Sequence, residues 1–235
     1  MNRLFVTGDL HGSFKSIKQL KRFCIDNNTD HSDIIVLLGD VGANYHLNEY
    51  DIDFKSALAS LPITILCVHG NHEARPETIP TYTLQYSSLI GGEYWVEQNY
   101  PNILFPKDGI VTIFGKKCLI LGGAYSVDKW YRLMNGLTWF PDEQMSASEQ
   151  NRILSLLDSE NEFDYVFSHT CPSNFVPKHL FLGCVDQNSV DKTMEYFLQE
   201  VYNKISFNKW FCGHYHSDEE NGKIQIVFNL IHRLK

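Results

Sequence analysis

Five short polar clusters follow apolar runs in this chain: Gly8-Asp9-Leu10-His11, Gly39-Asp40, Gly70-Asn71-His72-Glu73, Ser168-His169 and Gly213-His214-Tyr215-His216. Asp9 and His11 are two residues apart, as are His214 and His216, so each pair can face one side of an extended segment or of a short loop. Carboxylate together with neutral imidazole suits Mn, Fe or Zn, whereas an all-oxygen set suits Mg or Ca. Asp40 stands alone at a strand end and has two oxygens with which to bridge a pair of ions. Asn71 adds a neutral oxygen and His169 a further imidazole. Any one cluster reads equally as a polar turn, a helix cap or a hydrogen-bonded strand-end histidine. Five at the ends of apolar strands point to a single shared site.

The runs before the clusters are short, β-prone and without polar alternation, as in buried parallel strands. Residues 4–6, 33–38 and 63–68 are predicted as strands, with a helix between each pair. Ser13 caps the first helix, in which Phe14, Ile17, Leu20 and Cys24 recur at three- and four-residue spacing. Phe54, Leu58 and Leu61 mark the second. That order predicts a right-handed βαβ arrangement with the clusters on the loops at the strand ends. Residues 78–88 are expected as a loop over the site. Short strands follow over 94–96, 103–105, 109–114 and 117–121, with Gly115-Lys116 as a tight turn. A loop then carries Asp128, Lys129, Trp130, Arg132 and Trp139. Ser146 and Glu149 form a capping box ahead of Ile153, Leu154, Leu156 and Leu157. Residues 165–167 and 210–212 are strands, Met194, Phe197, Leu198 and Val201 lie on a helix between them, and 224–230 is a last strand after Asn221-Gly222. Two sheets with apolar faces are expected to pack together.

Composition narrows the function classes. The chain has 235 residues, 43% hydrophobic and 20% charged, long enough for a substantial core, and it is expected to form one domain over residues 1–235. A formal charge of −8 argues against general nucleic-acid binding. Six cysteines are scattered without a C-x-x-C pair, which predicts buried reduced thiols. No targeting leader and no membrane-length apolar run is evident, so a cytoplasmic protein without membrane association is expected.

Asp9-x-His11, Gly39-Asp40, Gly70-Asn71-His72-Glu73, His169 and Gly213-His214-x-His216 together resemble the ordered motif set of the calcineurin-like metallophosphoesterases. The resemblance implies a four-layer α/β/β/α sandwich with two central mixed sheets and a two-metal site at one edge of them. It implies one ion on Asp9, His11 and His216, a second on Asn71, His169 and His214, and Asp40 between them. The metals implied are of the Mn, Fe, Zn or Ni type, with Mn the choice for assay. Two such ions about 3.5–4 Å apart clamp a phosphoryl oxygen and acidify a shared water. No Ser or Cys sits in a nucleophile-elbow setting, so direct in-line attack by the bridging hydroxide is expected, with Asp40 and His72 as the catalytic pair. The motif histidine His72 would protonate or stabilise the leaving oxygen. Glu73 either orients His72 or forms a local salt bridge.

The segment after Asp40 reads Val41-Gly42-Ala43-Asn44-Tyr45-His46 and lacks the Asp-Arg pair of the eukaryote-type Ser/Thr phosphatases. The whole is more similar to compact prokaryotic or phage-associated members with Ser/Thr-phosphatase-like motifs. Arg132 first, then Arg75 or Lys129, could replace the missing phosphate contact. Tyr45, His46, Tyr125, Trp130 and Trp139 could line a pocket for a base or an aromatic leaving group. The expected reaction is hydrolysis of a phosphomonoester, on a phosphorylated small molecule, a nucleotide or a phosphoprotein. The alternatives are cleavage of a phosphodiester or dinucleoside polyphosphate, and a non-catalytic metal-stabilised scaffold that binds phosphate.

Overall fold

The unbroken apolar runs form strands whose alternate residues enter two different cores, which is why they show no polar alternation. In β1 (Leu4–Thr7), β2 (Ile34–Leu37) and β3 (Thr64–Cys67), Leu4, Val6, Ile34, Val36 and Leu66 face a core between two sheets. Phe5, Ile35, Leu37, Ile65 and Cys67 face the opposite way, towards Ile17, Leu20 and Cys24 of α1 (Phe14–Asn27) and Phe54 and Leu58 of α2 (Glu49–Ala59). The computed structural model describes residues 2–181, 183 and 185–235, so Cys184 lies outside the described residues. The other five cysteines are buried and free.

β4 (Tyr82–Ser87), β5 (Gly92–Glu97) and β6 (Ile103–Pro106) complete the first sheet, in the order β4-β5-β6-β3-β2-β1. β13 (His232–Leu234) is its seventh strand and pairs antiparallel with β1. The second sheet holds β7 (Gly109–Ile113), β8 (Lys116–Leu121), β9 (Glu162–Ser168), β10 (Ser206–Cys212), β12 (Ile224–Ile226) and β11 (Glu219–Asn221), in that spatial order. Cys118, Ile120, Tyr165, Phe167 and Phe211 fill its side of the inter-sheet core. Its outer face, with Leu119, Leu121, Val166 and Trp210, is covered by α4 (Ala147–Leu156) and α5 (Thr193–Lys204) through Ile153, Met194, Leu198 and Val201. Both sheets are mixed, and the layers run helix, sheet, sheet, helix. Each fully buried Leu or Ile in these cores stabilises the fold by about 1.5–3 kcal/mol.

Local signals act as the sequence predicts at two caps. The Ser13 side chain accepts from Ser16 N–H, and Ser146 with Glu149 makes the reciprocal capping box. Elsewhere the structure differs. Residues 82–87 are not a loop but the edge strand β4, in which Tyr82, Leu84 and Tyr86 alternate with Thr83, Gln85 and Ser87 and which is exposed over most of its length. The segment after Asp128 contains a short helix, α3 (Lys129–Met134), which buries no side chain and so carries no apolar stripe. The β7–β8 turn is Phe114-Gly115 rather than Gly115-Lys116. Ile113 pairs with Lys116, and both turn residues have positive φ, 52° and 78°, as a two-residue hairpin that matches strand twist requires. The strand expected over 224–230 stops at Ile226, after which the chain crosses back to β1.

Candidate metal centre

Each cluster leaves the end of a central strand. Asp9 follows β1, Asp40 follows β2, Asn71 and His72 follow β3, His169 follows β9, and His214 and His216 follow β10. Of the seven non-glycine residues with positive φ among those described, four are in these clusters: His11 (48°), Asp40 (46°), His214 (68°) and His216 (49°). Such conformations cost on the order of 1–3 kcal/mol each and persist where surrounding contacts enforce them. Here backbone contacts do so, since Leu10 and His11 N–H both donate to the Asp40 carbonyl, at 3.2 and 2.7 Å. The clusters also need missing side chains. A Cβ on Gly70 would sit 2.1 Å from Asp40 Oδ1, and one on Gly213 would sit 2.2 Å from Asp9 Oδ1.

The side chains converge in two groups. Asp9, His11 and His216 form one, and Asp9, Asp40 and His169 the other, with donor atoms within 4.8 Å of one another in each. His11 Nε2 and His216 Nε2 are 2.7 Å apart, and lie 3.8 and 3.5 Å from the same Asp9 Oδ2. His169 Nδ1 lies 2.7 Å from the Leu38 carbonyl and so carries its proton there, which leaves Nε2 facing only acceptors. Asn71 Oδ1 is 2.9 Å from that nitrogen and Asp40 Oδ2 is 3.5 Å from it. The Asn71 amide is fixed in this sense because its Nδ2 donates to Ser126 Oγ at 2.9 Å. Acceptors aimed at one another need a positive charge between them. In the metal-free chain a proton supplies it: burial lowers the His169 pKa, but the adjacent Asp40 charge outweighs this and raises it to about 9. Burial likewise opposes ionisation of Asp40, yet His169 holds its carboxyl below the ordinary carboxylate range. A divalent cation fits the same acceptor set, and the residues present suit a metal site. The His214 ring lies 5.0 Å from that of His169, and burial followed by the His169 charge keeps it well below its ordinary pKa. The backbone N–H of His214 donates to Asp9 Oδ2 at 3.0 Å.

A cleft of about 340 Å³ opens beside the first group, lined by His11, Gly12, Gly42, Tyr45, His46, Tyr50, His72, Arg132 and His216. His72 is fastened through its N–H to Asp40 Oδ1 at 2.7 Å. Burial lowers its pKa, Asp40 opposes this and Arg132 adds to it, which favours the neutral imidazole. Arg132 Nε donates to Asp128 Oδ2 at 2.8 Å and Nη1 to Tyr45 Oη at 2.8 Å, which carries the guanidinium from α3 to the cleft wall.

The substrate candidates therefore separate. Arg132 and His46 line the cleft. Arg75 does not, because it is buried, with Nε donating to the Asp142 carbonyl at 2.8 Å and Nη1 3.5 Å from Asp108 Oδ2. Lys129 is drawn elsewhere, its ammonium 4.2 Å from the centre of the Trp139 ring and 5.9 Å from that of Tyr125, itself buried. Glu73 neither touches His72 nor forms an ion pair among the described residues. It braces the turn by accepting from Gly70 N–H at 2.9 Å, and burial pushes its pKa up to about 8. Sequence reasoning missed Tyr50, whose hydroxyl donates to the Gly12 carbonyl at 3.0 Å. It also missed Glu143, whose Oε1 accepts from Ser126 N–H at 3.2 Å and so supports the residue that orients Asn71. The Gly122-Gly123-Ala124-Tyr125-Ser126 run was the only signal pointing to that support.

Comparison with known proteins bears on the same elements. A family model described as calcineurin-like phosphoesterase matches residues 3–218. The crystal structure of TT1561 of Thermus thermophilus is similar at a TM-score of 0.55 and 12% identity, over 99% of this chain and 97% of that one, a likeness of fold alone. Phosphopantetheinyl hydrolase (PptH) from Mycobacterium tuberculosis aligns over 97% of this chain and 88% of its own, at 13% identity and a TM-score of 0.42, too low to carry an argument. No curated protein matches the chain.

Proposed function

This chain belongs to the calcineurin-like phosphoesterases, and on that premise we propose that it hydrolyses a phosphomonoester at a site for two divalent metal ions. The observation that carries the reading is the convergence of two carboxylates and at least three imidazoles, with His169 Nε2 facing only acceptors. In this reading Asp9, His11 and His216 would hold one ion and Asn71, His169 and His214 the other, with Asp40 serving both. A bound pair of divalent cations supplies Lewis-acid activation of the phosphoryl group and of water.

The chain's own residues divide the remaining work. Arg132 has its Nη2 free of described partners, within a guanidinium anchored at Nε and Nη1, and offers that edge to a phosphate oxygen. Its anchoring reduces the entropy lost when substrate binds. The surroundings of His72 favour its neutral form, and a phosphate dianion beside it would raise its pKa, so that the protonated imidazole can hand its proton to the leaving oxygen. Tyr45, His46 and Tyr50 form a wall of rings, with centroids 4.7 Å apart for the first pair and 5.0 Å for the second. That wall favours an aromatic or peptide-borne leaving group, and it is also the observation behind a second reading, cleavage of a nucleotide diester or dinucleoside polyphosphate. Both sheets contribute to the centre, which supports one domain, and buried free thiols are chemistry suited to the cytoplasm.

The test is a substrate panel of phosphopeptides, nucleotides, cyclic nucleotides and dinucleoside polyphosphates, assayed with Mn, Fe, Zn and Ni in turn. Turnover of monoesters at least tenfold above diesters supports the first reading, and the reverse order supports the second. Stoichiometric metal with tight phosphate binding but no turnover on any substrate would overturn both in favour of a scaffold.

A further inference from the structure

The two sheets present four edges, and three of them are blocked against pairing with another strand. β13 carries His232 and Arg233, and β11 carries Glu219 and Glu220. The outer side of β7 is covered, since Thr112 N–H donates to the Ile90 carbonyl at 2.8 Å. Charged residues and covering segments are the usual protection of an exposed edge. β4 has neither. Its sequence Tyr-Thr-Leu-Gln-Tyr-Ser contains no charge and no proline, and Leu84 and Tyr86 are 41% and 70% exposed.

We propose that β4 is the contact through which two copies of this chain pair, edge to edge and antiparallel, into one continuous sheet. The hydrogen-bonding pattern selects the register. Tyr82 N–H donates to the Ile79 carbonyl and so points away from β5. The alternation of antiparallel pairing then turns the N–H and C=O of Leu84 and Tyr86 outward as well, while Thr83, Gln85 and Ser87 bond inward. Setting Leu84 against Tyr86 of the second copy lets both residues exchange both hydrogen bonds, and places Gln85 opposite its own symmetry mate. The neighbouring alternative, centred on Leu84, would call on the N–H of Tyr82, which is already used. In the chosen register apolar meets apolar at Leu84 and Tyr86, and polar meets polar at Thr83, Gln85 and Ser87. A strand whose two-fold repeat is complementary to itself is what a closed dimer requires. β4 runs parallel to β6 and β3, so the two-fold axis sends the two clefts to opposite ends of the joined sheet. The pairing does not depend on the reaction proposed above.

Sedimentation of the full chain should show a dimer, and Tyr86→Lys should weaken association at least tenfold by setting a charge against Leu84 of the second copy with its like diagonally beside it, while the activity per chain stays at the parent value. Register is read separately by disulfide trapping in a Cys184→Ser background, in which the other cysteines are buried. Gln85→Cys should cross-link under mild oxidation, because directly opposed non-bonded residues have Cα atoms about 4.5 Å apart. Leu84→Cys should not, because its own mate lies diagonally, about 7–8 Å away. A parent chain that stays monomeric at every concentration overturns the proposal, even if β4 then takes a strand from another protein. So do a dimer indifferent to Tyr86→Lys and cross-linking of Leu84→Cys as fast as of Gln85→Cys.

Discussion

Asp40→Asn changes almost no volume and one charge, and the structure fixes where that loss is felt. The amide oxygen can keep the 2.7 Å bond from His72 N–H. The NH2 must then occupy the Oδ2 position, 3.5 Å from His169 Nε2 and 3.9 Å from His11 Nε2, where it presents hydrogens to the space that the other acceptors enclose. Asp40 is 2% exposed, so water cannot replace the missing charge cheaply. One unit charge about 4 Å from a divalent ion is worth about 8 kcal/mol at an effective dielectric of about 20. Local relaxation and the retained His72 bond leave about a quarter of that, equivalent to a metal affinity about 30-fold weaker. The assay is elemental analysis of metal per chain after gel filtration, with turnover of an aryl phosphate measured on the same samples. Metal content and turnover should fall together, and added metal should restore part of both. Wild-type metal content with unchanged turnover would remove Asp40 from the centre and refute the charge argument.

Three further outcomes are expected. His72→Ala should keep metal content while lowering turnover by about 10²–10⁴-fold on the best substrate, since it removes a proton donor and no ligand; equal turnover would exclude His72 from proton transfer. Arg132→Ala should raise KM for a phosphomonoester about tenfold or more with metal content unchanged, and Arg132→Lys should recover little, because a lysine cannot reproduce the anchored fork; an unchanged KM would show that the guanidinium does not meet phosphate. Asp33 accepts from the backbone N–H of Arg3 at 2.9 Å and from its guanidinium, and although burial raises its pKa these contacts bring it below the ordinary value. A depressed carboxylate stabilises the fold above its unfolded pKa, and that contribution is lost as pH falls through the folded one. Asp33→Asn should therefore cost about 1.5–3 kcal/mol at neutral pH, about 3–12 °C in Tm, and the gap to the parent should close below about pH 4; a gap constant with pH would show the loss is not electrostatic.

The parts of the fold legible in the sequence are those whose cause is local. Residues 34–38 are apolar without interruption because both faces of β2 are buried, and Gly39-Asp40 follows because the site lies where the strand ends. The convergence of Asp9, His11 and His216 was legible because those side chains carry the donor atoms themselves. What was not legible depends on distant partners. β4 looked like a loop because its short alternation of Tyr82, Leu84 and Tyr86 with polar residues follows Pro76 and Pro80 and stays mostly exposed at the sheet edge, where no core selects it. The three-residue strand β13 has no signal of its own, since it is defined by pairing with β1 across the length of the chain. Arg75 was indistinguishable from a phosphate ligand until Asp108 and the Asp142 carbonyl were found beside it. Arg132 differs from it only in that α3 holds its guanidinium at the cleft wall.

The pairing of Val6 with His232 also governs how the molecule is made. β1 finds β2 soon after it is synthesised, but its other side stays bare until β13 leaves the ribosome. Long sequence separation between neighbours slows folding and prolongs the exposure of hydrogen-bonding edges. The growing chain thus carries an unprotected strand until β13 is made, and removing β13 should leave that strand open and the product prone to aggregate even though every proposed metal-binding side chain is present.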